Sequence, residues 1–299
     1  STLENWGEGV LEGCSNLTSF EDKSGKFVQS ADGIIYSADG AQIIAALASV
    51  SGEVRIAEGV TKIPNALFLA NRRITGIVIP DGVTDIGEFA FYVCTSLTSI
   101  VIPESVTSIG NYAFYGCTAM TGIVLPEGVT SIGNGAFSCC RALANVVIPE
   151  SVTSIGEEAF HNCNSLTSIV VPEGVTSIGN AAFSWCYNLT SITLPSTLET
   201  LGEGVLEGNE NLASIEDKSG KFLKVVDGIV YSADSMQIIV ALTSASGEIH
   251  IAEGTTEIPA WLFAANDRIT AVVIPEGVTT IGDGAFTYCE NLTSVTLPS

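Results

Sequence analysis

Basic residues are scarce in this sequence. Its 299 residues include 11 lysines and arginines against 33 aspartates and glutamates, which gives a formal net charge of −22. Nucleic acids and anionic lipids bind through clustered basic side chains, so this composition excludes both as partners. No apolar run approaches the roughly 18 residues that a membrane span needs, so membrane insertion is not expected. The high negative charge favours a soluble monomer.

Groups that carry catalysis or bind metals are also rare. His161 and His250 are the only histidines, and their positions predict no shared site. The sequence has no C-x-x-C pair and no phosphate-binding loop, so it predicts no enzyme, no cofactor and no metal site. The chain begins at STLEN, which resembles the middle of a repeat, and we expect a fragment of a longer protein.

An internal repeat of 23 residues organises most of the chain. Prolines recur at this step, and phenylalanines and cysteines keep it as well. The prolines are Pro80, Pro103, Pro126, Pro149, Pro172 and Pro195. A fixed period of this length predicts a solenoid, in which each unit contacts only its neighbours.

A longer repeat encloses the shorter one. Residues 1–99 match residues 196–294 at an offset of 195, and roughly two thirds of the aligned positions are identical. Each copy contains an inserted segment, at about 23–56 (module 1) and about 218–251 (module 2). A SADG turn between GIIY and QIIA predicts a β-hairpin in module 1, and module 2 is its repeat. Residues 1–299 are therefore expected to form a single solenoid domain with two inserted modules.

Each 23-residue unit contains a strand pattern and a turn pattern. In LTSIVIPE, Ile100 and Ile102 alternate with outward positions, and the proline ends the strand. The segment NYAFYGC at 111–117 predicts a single helical or 3₁₀ turn with one buried side. One unit cannot bury its own apolar side, so neighbours must stack. Twelve strand rows, from Phe20 to Val295, predict a rod roughly 55–60 Å long.

The repeat resembles a known family. Leu97, Ile100 and Ile102 fit the leucine-rich-repeat pattern, and the P-x-x-V-x-x-I-G and A-F-x-x-C segments are similar to the BspA-like subgroup. The resemblance implies a leucine-rich-repeat solenoid with a parallel β-sheet on one face, short helical or 3₁₀ turns on the other and two inserted β-hairpin modules. One departure is that Ala57 and Ala252 replace the strand-end proline just after each module, which leaves the strand ending there open.

The resemblance also implies a function and a location. Such proteins are bacterial cell-surface or secreted solenoids that adhere to host or neighbouring-cell proteins, and the family motif carries no catalytic residues. A second hypothesis is a passive spacer that presents a terminal domain, since duplication of the 195-residue block lengthens a stalk. The modules are either recognition surfaces or insertions that the repeat tolerates.

A column of valines is the candidate partner-binding surface. The outward strand position is valine in five consecutive coils, and exposed apolar strips often mark a partner surface. The alternative is that valine simply suits a pleated strand. The candidate residues are Val78, Val101, Val124, Val147 and Val170.

An acidic column follows the prolines. One carboxylate per coil is suited in principle to calcium, but the column has no Asp-x-Asp cage, so a solvated acidic edge is predicted instead. The residues are Glu58, Asp81, Glu104, Glu127, Glu150 and Glu173.

Seven of the eight cysteines share another column. A buried free cysteine behaves as a small apolar side chain, so the column predicts a reduced ladder in the core, with bridges between coils as the alternative. Cys139 lies outside the column and is predicted to be the most reactive thiol. The column contains Cys14, Cys94, Cys117, Cys140, Cys163, Cys186 and Cys289.

Overall fold

The computed structural model describes residues 10–29 and 32–299. Coils of the solenoid each contribute one strand to a row that we call the front row. Alternating apolar residues form these short strands, and the 23-residue period brings them side by side. They pair in four parallel groups, in the orders β4-β6-β8, β10-β12, β14-β16-β18 and β22-β24-β26. The strands are β4 (Gly52–Arg55), β6 (Ile74–Val78), β8 (Ser99–Val101), β10 (Gly122–Val124), β12 (Asn145–Val147), β14 (Ser168–Val170), β16 (Ser191–Leu194), β18 (Ser214–Asp217), β22 (Gly247–His250), β24 (Ile269–Val273) and β26 (Ser294–Thr296).

A second row consists of strands of two residues each. Seven of them form one continuous parallel sheet from β5 to β17, and β23 pairs with β25. From β5 to β15 and in β23, the isoleucine of each strand is buried in the core, while its partner faces outward. Leu201 of β17 is half-buried, and Ile281 of β25 is exposed. The strands are β5 (Lys62–Ile63), β7 (Asp85–Ile86), β9 (Ser108–Ile109), β11 (Ser131–Ile132), β13 (Ser154–Ile155), β15 (Ser177–Ile178), β17 (Thr200–Leu201), β23 (Glu257–Ile258) and β25 (Thr280–Ile281).

The third side of each coil is a series of turns. Helical or 3₁₀ turns were predicted there, but the described residues contain no helix. The amide of Tyr92 donates to Phe89 within its own coil (3.1 Å), whereas that of Phe91 donates to Ala113 of the next coil (2.8 Å). Phe89 and Val93 have φ of 56° and 57°. This left-handed conformation interrupts a helix and turns every second amide towards the neighbouring coil.

Each module forms a three-stranded antiparallel sheet. In module 1, β1 (Phe27–Gln29), β2 (Ile34–Ser37) and β3 (Ile43–Ala46) pair in that order. In module 2, the same arrangement contains β19 (Leu223–Val226), β20 (Ile229–Ser232) and β21 (Ile238–Ala241). Asp227 and Gly228 connect β19 to β20 with φ of 50° and 79°, as a type I′ turn requires. Both sides of each sheet are packed in apolar clusters: Ile34 and Ile35 face different clusters in module 1, as Ile229 and Val230 do in module 2.

Columns of identical residues fill the core between the rows. Phe91, Phe114, Phe137 and Phe160 are buried and stack in neighbouring coils. The ring centroids of Phe114 and Phe137 are 5.4 Å apart, with an interplanar angle of 2°. Residues separated by 23 positions therefore lie side by side, as the repeat predicts.

The predicted first row at Phe20 is not a strand. Eleven front strands occur among the described residues, and the first is β4. Phe20 instead packs edge-on against Phe27 of module 1, with ring centroids 5.6 Å apart. The equivalent strand after the 195-residue repeat, β18, pairs with β16 of the preceding coil. No strand occurs among the described residues 10–19.

Candidate partner-binding face

The valine column lies on the outer side of the front row. In each strand the flanking apolar residues face the core, so the central valine faces solvent. Val78 is half-buried, at one end of the column. The other four are well exposed: 61% for Val101, 74% for Val124, 66% for Val147 and 64% for Val170.

Strand register aligns these valines along the solenoid. Val78 lies opposite Val101, Val124 opposite Val147, and Val170 opposite Thr193. We call Val101, Val124, Val147 and Val170 the valine strip. Thr193 continues the line at one end of the strip and Val78 at the other. The structure therefore brings the predicted site residues into one line, although the described strands form separate groups between β8 and β10 and between β12 and β14.

Small polar residues border the strip on one side. Two positions before each valine, this column contains Ser99, Gly122, Asn145 and Ser168. These side chains are short, so they leave the valine side chains accessible from that side. The face is therefore suited to a large, smooth partner surface rather than to a small molecule, which prefers a concave pocket.

The acidic column borders the strip on the other side. Glu104, Glu127, Glu150 and Glu173 are exposed, each three residues after a strip valine. Glu173 accepts hydrogen bonds from the backbone nitrogen (2.9 Å) and hydroxyl (2.7 Å) of Ser196, and its pKa is lowered by these bonds and by nearby Lys218. No ion pair in the described part of the chain involves the other three carboxylates.

No metal site emerges from this column. Among residues 10–29 and 32–299, no group of three or more histidine, cysteine or acidic side chains is arranged to hold a metal ion. His161 and His250 are also apart. The Nδ1 atom of His161 lies 2.8 Å from the hydroxyl of Ser184 on the turn side, whereas His250 lies in β22, with Nδ1 3.4 Å from a carboxylate oxygen of Asp227.

The cysteine column is a ladder of free thiols in the core. Each buried thiol lies near the carbonyl oxygen of the phenylalanine 26 residues earlier, for example 3.1 Å from Cys94 Sγ to Phe68 O. Burial raises the pKa of Cys94 and Cys186 to about 12. Cys94, Cys117, Cys140, Cys163 and Cys186 are buried and form no disulfide, whereas the prediction of a core position is wrong for Cys14 and holds only in part for Cys289. Cys14 is exposed, and Cys139 and Cys289 are half-buried.

The structure explains the missing prolines. The backbone nitrogen of Ala57 donates to the hydroxyl oxygen of Tyr36 in module 1 (3.2 Å), and that of Ala252 donates to Tyr231 in module 2 (3.1 Å). Proline has no N–H to donate. Alanine at these positions therefore allows each module to bond to the end of the adjoining front strand, which fixes the module beside the face.

Sequence reasoning missed an aromatic cluster on the turn side. Phe89 stacks on Tyr112 with ring centroids 5.3 Å apart, and Tyr92 stacks on Tyr115 at 4.8 Å. The signal is present in the sequence, because each pair is separated by 23 residues. The rings of each pair face one another along the solenoid, and Phe89 also meets Tyr92 edge-on, with centroids 5.6 Å apart.

None of the described residues forms a helix with the length and apolar character that a membrane crossing requires.

Comparisons with known proteins agree with this geometry. A protein-family model described as the BspA type leucine rich repeat region, in six copies, matches residues 51–166, 130–232 and 241–299. A leucine rich cell surface protein from Faecalibacterium prausnitzii A2-165 is 27% identical, covers 93% of this chain and 76% of its own, and has a TM-score of 0.57.

Two further solved structures share the fold at lower identity. A leucine-rich repeat protein from Bacteroides ovatus ATCC 8483 is 24% identical over 93% of this chain and 77% of its own, with a TM-score of 0.53. The pneumococcal vaccine antigen PcpA is 21% identical over 93% and 71%, with a TM-score of 0.53. A comparison with curated proteins found no match.

Proposed function

Because the chain belongs to the BspA-type leucine-rich repeat family, we propose that it is a bacterial cell-surface protein that binds another protein through the valine strip. The observation that carries this proposal is the row of four exposed valines at the same outward position of four consecutive coils, with Val124 and Val147 paired by strand register. Exposed apolar rows that are bordered by polar residues mark protein interaction sites. The leucine rich cell surface protein from Faecalibacterium prausnitzii supports the proposed location.

The proposed biological role is adhesion to a host matrix protein or to a protein on a neighbouring cell. Many modest contacts along a repeated surface supply the affinity, with the strongest at the centre of the strip. A monomer presents the whole face to its partner.

The test is binding of the immobilised chain to purified host matrix and mucosal proteins. Val124→Glu combined with Val147→Glu introduces two charges at the centre of the strip, and we expect binding to weaken by about tenfold or more. The matched control, Val28→Glu with Val225→Glu, changes two exposed valines of the modules and should leave binding unchanged. Circular dichroism checks that both variants fold.

Two results separate the proposal from its alternatives. If the control variant loses binding and the strip variant keeps it, the modules are the recognition surface. The near-repeat of residues 1–99 at 196–294 favours the second candidate, a passive spacer. A spacer predicts that the chain binds none of the tested proteins and that binding activity is carried entirely by another part of the parent protein.

A further inference from the structure

We infer that the segment of the partner that contacts the valine strip is an amphipathic α-helix with basic side chains along one flank. This inference rests on the proposed function and specifies its partner. Two features of the face support it: the charge beside the strip and the spacing along it.

The charge beside the strip has one sign. Glu104, Glu127 and Glu150 are exposed, follow the strip at one carboxylate per coil and form no ion pair among the described residues. Between residues 74 and 217, Arg141 is the only lysine or arginine. Charge complementarity steers the approach of a partner and fixes its register, so this edge favours basic side chains opposite the carboxylates.

The two columns that border the valine strip determine which side chains the partner segment can place on either side of it. The column before the strip contains small residues such as Ser99 and Gly122, which contribute no charge. A partner element therefore meets an uncharged edge, an apolar strip and an acidic edge, in that order. An amphipathic helix presents a matching arrangement, with a narrow apolar stripe and different polar residues on its two flanks.

The spacing along the strip distinguishes a helix from a strand. Neighbouring strands of a sheet lie about 4.8 Å apart, so the three steps from Val101 to Val170 span about 14 Å. Three turns of an α-helix advance about 16 Å, because the pitch is about 5.4 Å. Three two-residue repeats of an extended strand advance about 20 Å. Apolar residues spaced one helical turn apart thus stay close to the four valines, whereas those of a strand lose register.

The same match applies to the charged flank. Basic residues spaced three or four positions apart on a helix lie about one turn from each other. Each of them therefore faces about one carboxylate of the acidic column. The apolar and the charged contacts repeat with the same period, so both are made along the whole strip.

Three synthetic peptides of about 18 residues test the inference on the full chain. The first is a stabilised amphipathic helix with leucines on one stripe and lysines on one flank. The second replaces the lysines with glutamates. The third alternates valine and lysine, as an extended strand does. Fluorescence anisotropy at low and high salt measures their affinities.

We expect the basic helix to bind most tightly. The acidic helix should bind at least about tenfold more weakly, because like charges then face each other. The strand peptide should also bind about tenfold more weakly, because it falls out of register. High salt should weaken binding of the basic helix but should not weaken binding of the acidic helix. Equal binding of both helices, or tighter binding of the strand peptide, overturns the inference.

Variants of the chain locate the binding site. Neutralising the acidic edge with Glu104→Gln, Glu127→Gln and Glu150→Gln should weaken the basic helix about tenfold and remove most of the salt dependence. The matched control removes the same net charge from exposed positions outside the strip, with Glu157→Gln, Glu203→Gln and Glu210→Gln. Equal losses in the two triple variants show that only overall charge matters, which overturns the inference.

The proposed function fails separately from this inference. Suppose that Val124→Glu and Val147→Glu abolish binding of a protein partner, but the basic helix does not bind to the unaltered chain. The strip then binds a partner of another kind. In that case the function stands and the inference is wrong. Binding of the basic helix that the uncharged substitutions Val124→Asn and Val147→Asn leave unchanged also contradicts the inference, because the peptide then occupies another site.

Discussion

At the residue scale, the cysteine column shows how a single backbone group selects a side chain. Each thiol lies where it can donate to a phenylalanine carbonyl in the preceding coil, as Cys163 Sγ does to Phe137 O at 3.2 Å. Asn209 occupies the same column, and its Nδ2 donates to Phe183 O at 2.9 Å. The position therefore requires a small hydrogen-bond donor, and cysteine meets that requirement without a disulfide.

The thiols should differ sharply in reactivity. Burial raises the pKa of the five ladder thiols above the ordinary value, so at about pH 8 almost none of each is thiolate. Titration of the native protein with a thiol-specific chromophoric reagent should label Cys14, Cys139 and Cys289, and the remaining five only after unfolding. Rapid labelling of all eight in the native state would contradict the buried ladder.

Some glycines of the turn segments occupy repeat positions where the backbone is in the left-handed conformation. These glycines should differ in how well they tolerate a side chain. A Cβ atom at Gly208 would lie 2.6 Å from the Trp185 ring, and one at Gly135 would lie 2.4 Å from the Tyr112 ring. At Gly116 the nearest atom is 3.4 Å away, on Val93. All three glycines have positive φ, so replacing any of them with alanine should cost a similar backbone strain.

Urea unfolding measures this difference. Gly208→Ala and Gly135→Ala should each lower the free energy of unfolding by about 1–3 kcal/mol more than Gly116→Ala, because the rings must move. A similar loss in all three variants would show that the backbone conformation alone sets the cost.

At the element scale, one tyrosine of each module bonds to the end of the adjoining front strand. Tyr231→Phe removes the acceptor of the Ala252 N–H and should destabilise the protein by about 1 kcal/mol. Ala252→Pro removes the donor and places a ring against the hydroxyl. In the Tyr231→Phe background, Ala252→Pro should cost less than it does alone, because the partner is already missing. A double-mutant cycle from urea unfolding measures this coupling, and additive effects would contradict the contact.

The strands could be predicted from the sequence, whereas the turns could not. Alternation in LTSIVIPE determines which residues face the core, and the period of 23 residues places neighbouring strands together. The turn segment predicts a helical turn because Ala113, Phe114 and Cys117 fit one side of such a turn. The left-handed residues that prevent a helix, such as Tyr112 and Cys139, are mostly not glycine in any single coil. The sign of them lies in the repeat columns, where Gly135 and Gly116 occupy the same positions in other coils.

At the scale of the whole molecule, the candidate face follows from the stacking of coils. The valine strip was readable because an outward strand position repeats at a constant step. The alternation of inward and outward residues in the strand does not predict that Val78 is half-buried. Its strand neighbour on one side is Arg55, not another valine, so Val78 ends the column.

The candidate face requires a constant advance of one coil per 23 residues. Double electron–electron resonance measures the advance as the distance between two spin labels. One label is placed by Arg55→Cys and the other at one of four positions on the same line. Cys14, Cys139 and Cys289 are replaced by serine in every variant. The second labels are placed by Val124→Cys, Val147→Cys, Val170→Cys and Thr193→Cys. Each step should lengthen the distance by about 4.8 Å, to about 29 Å for the last pair. Distances that do not rise in equal steps would contradict the aligned strip and the binding face built on it.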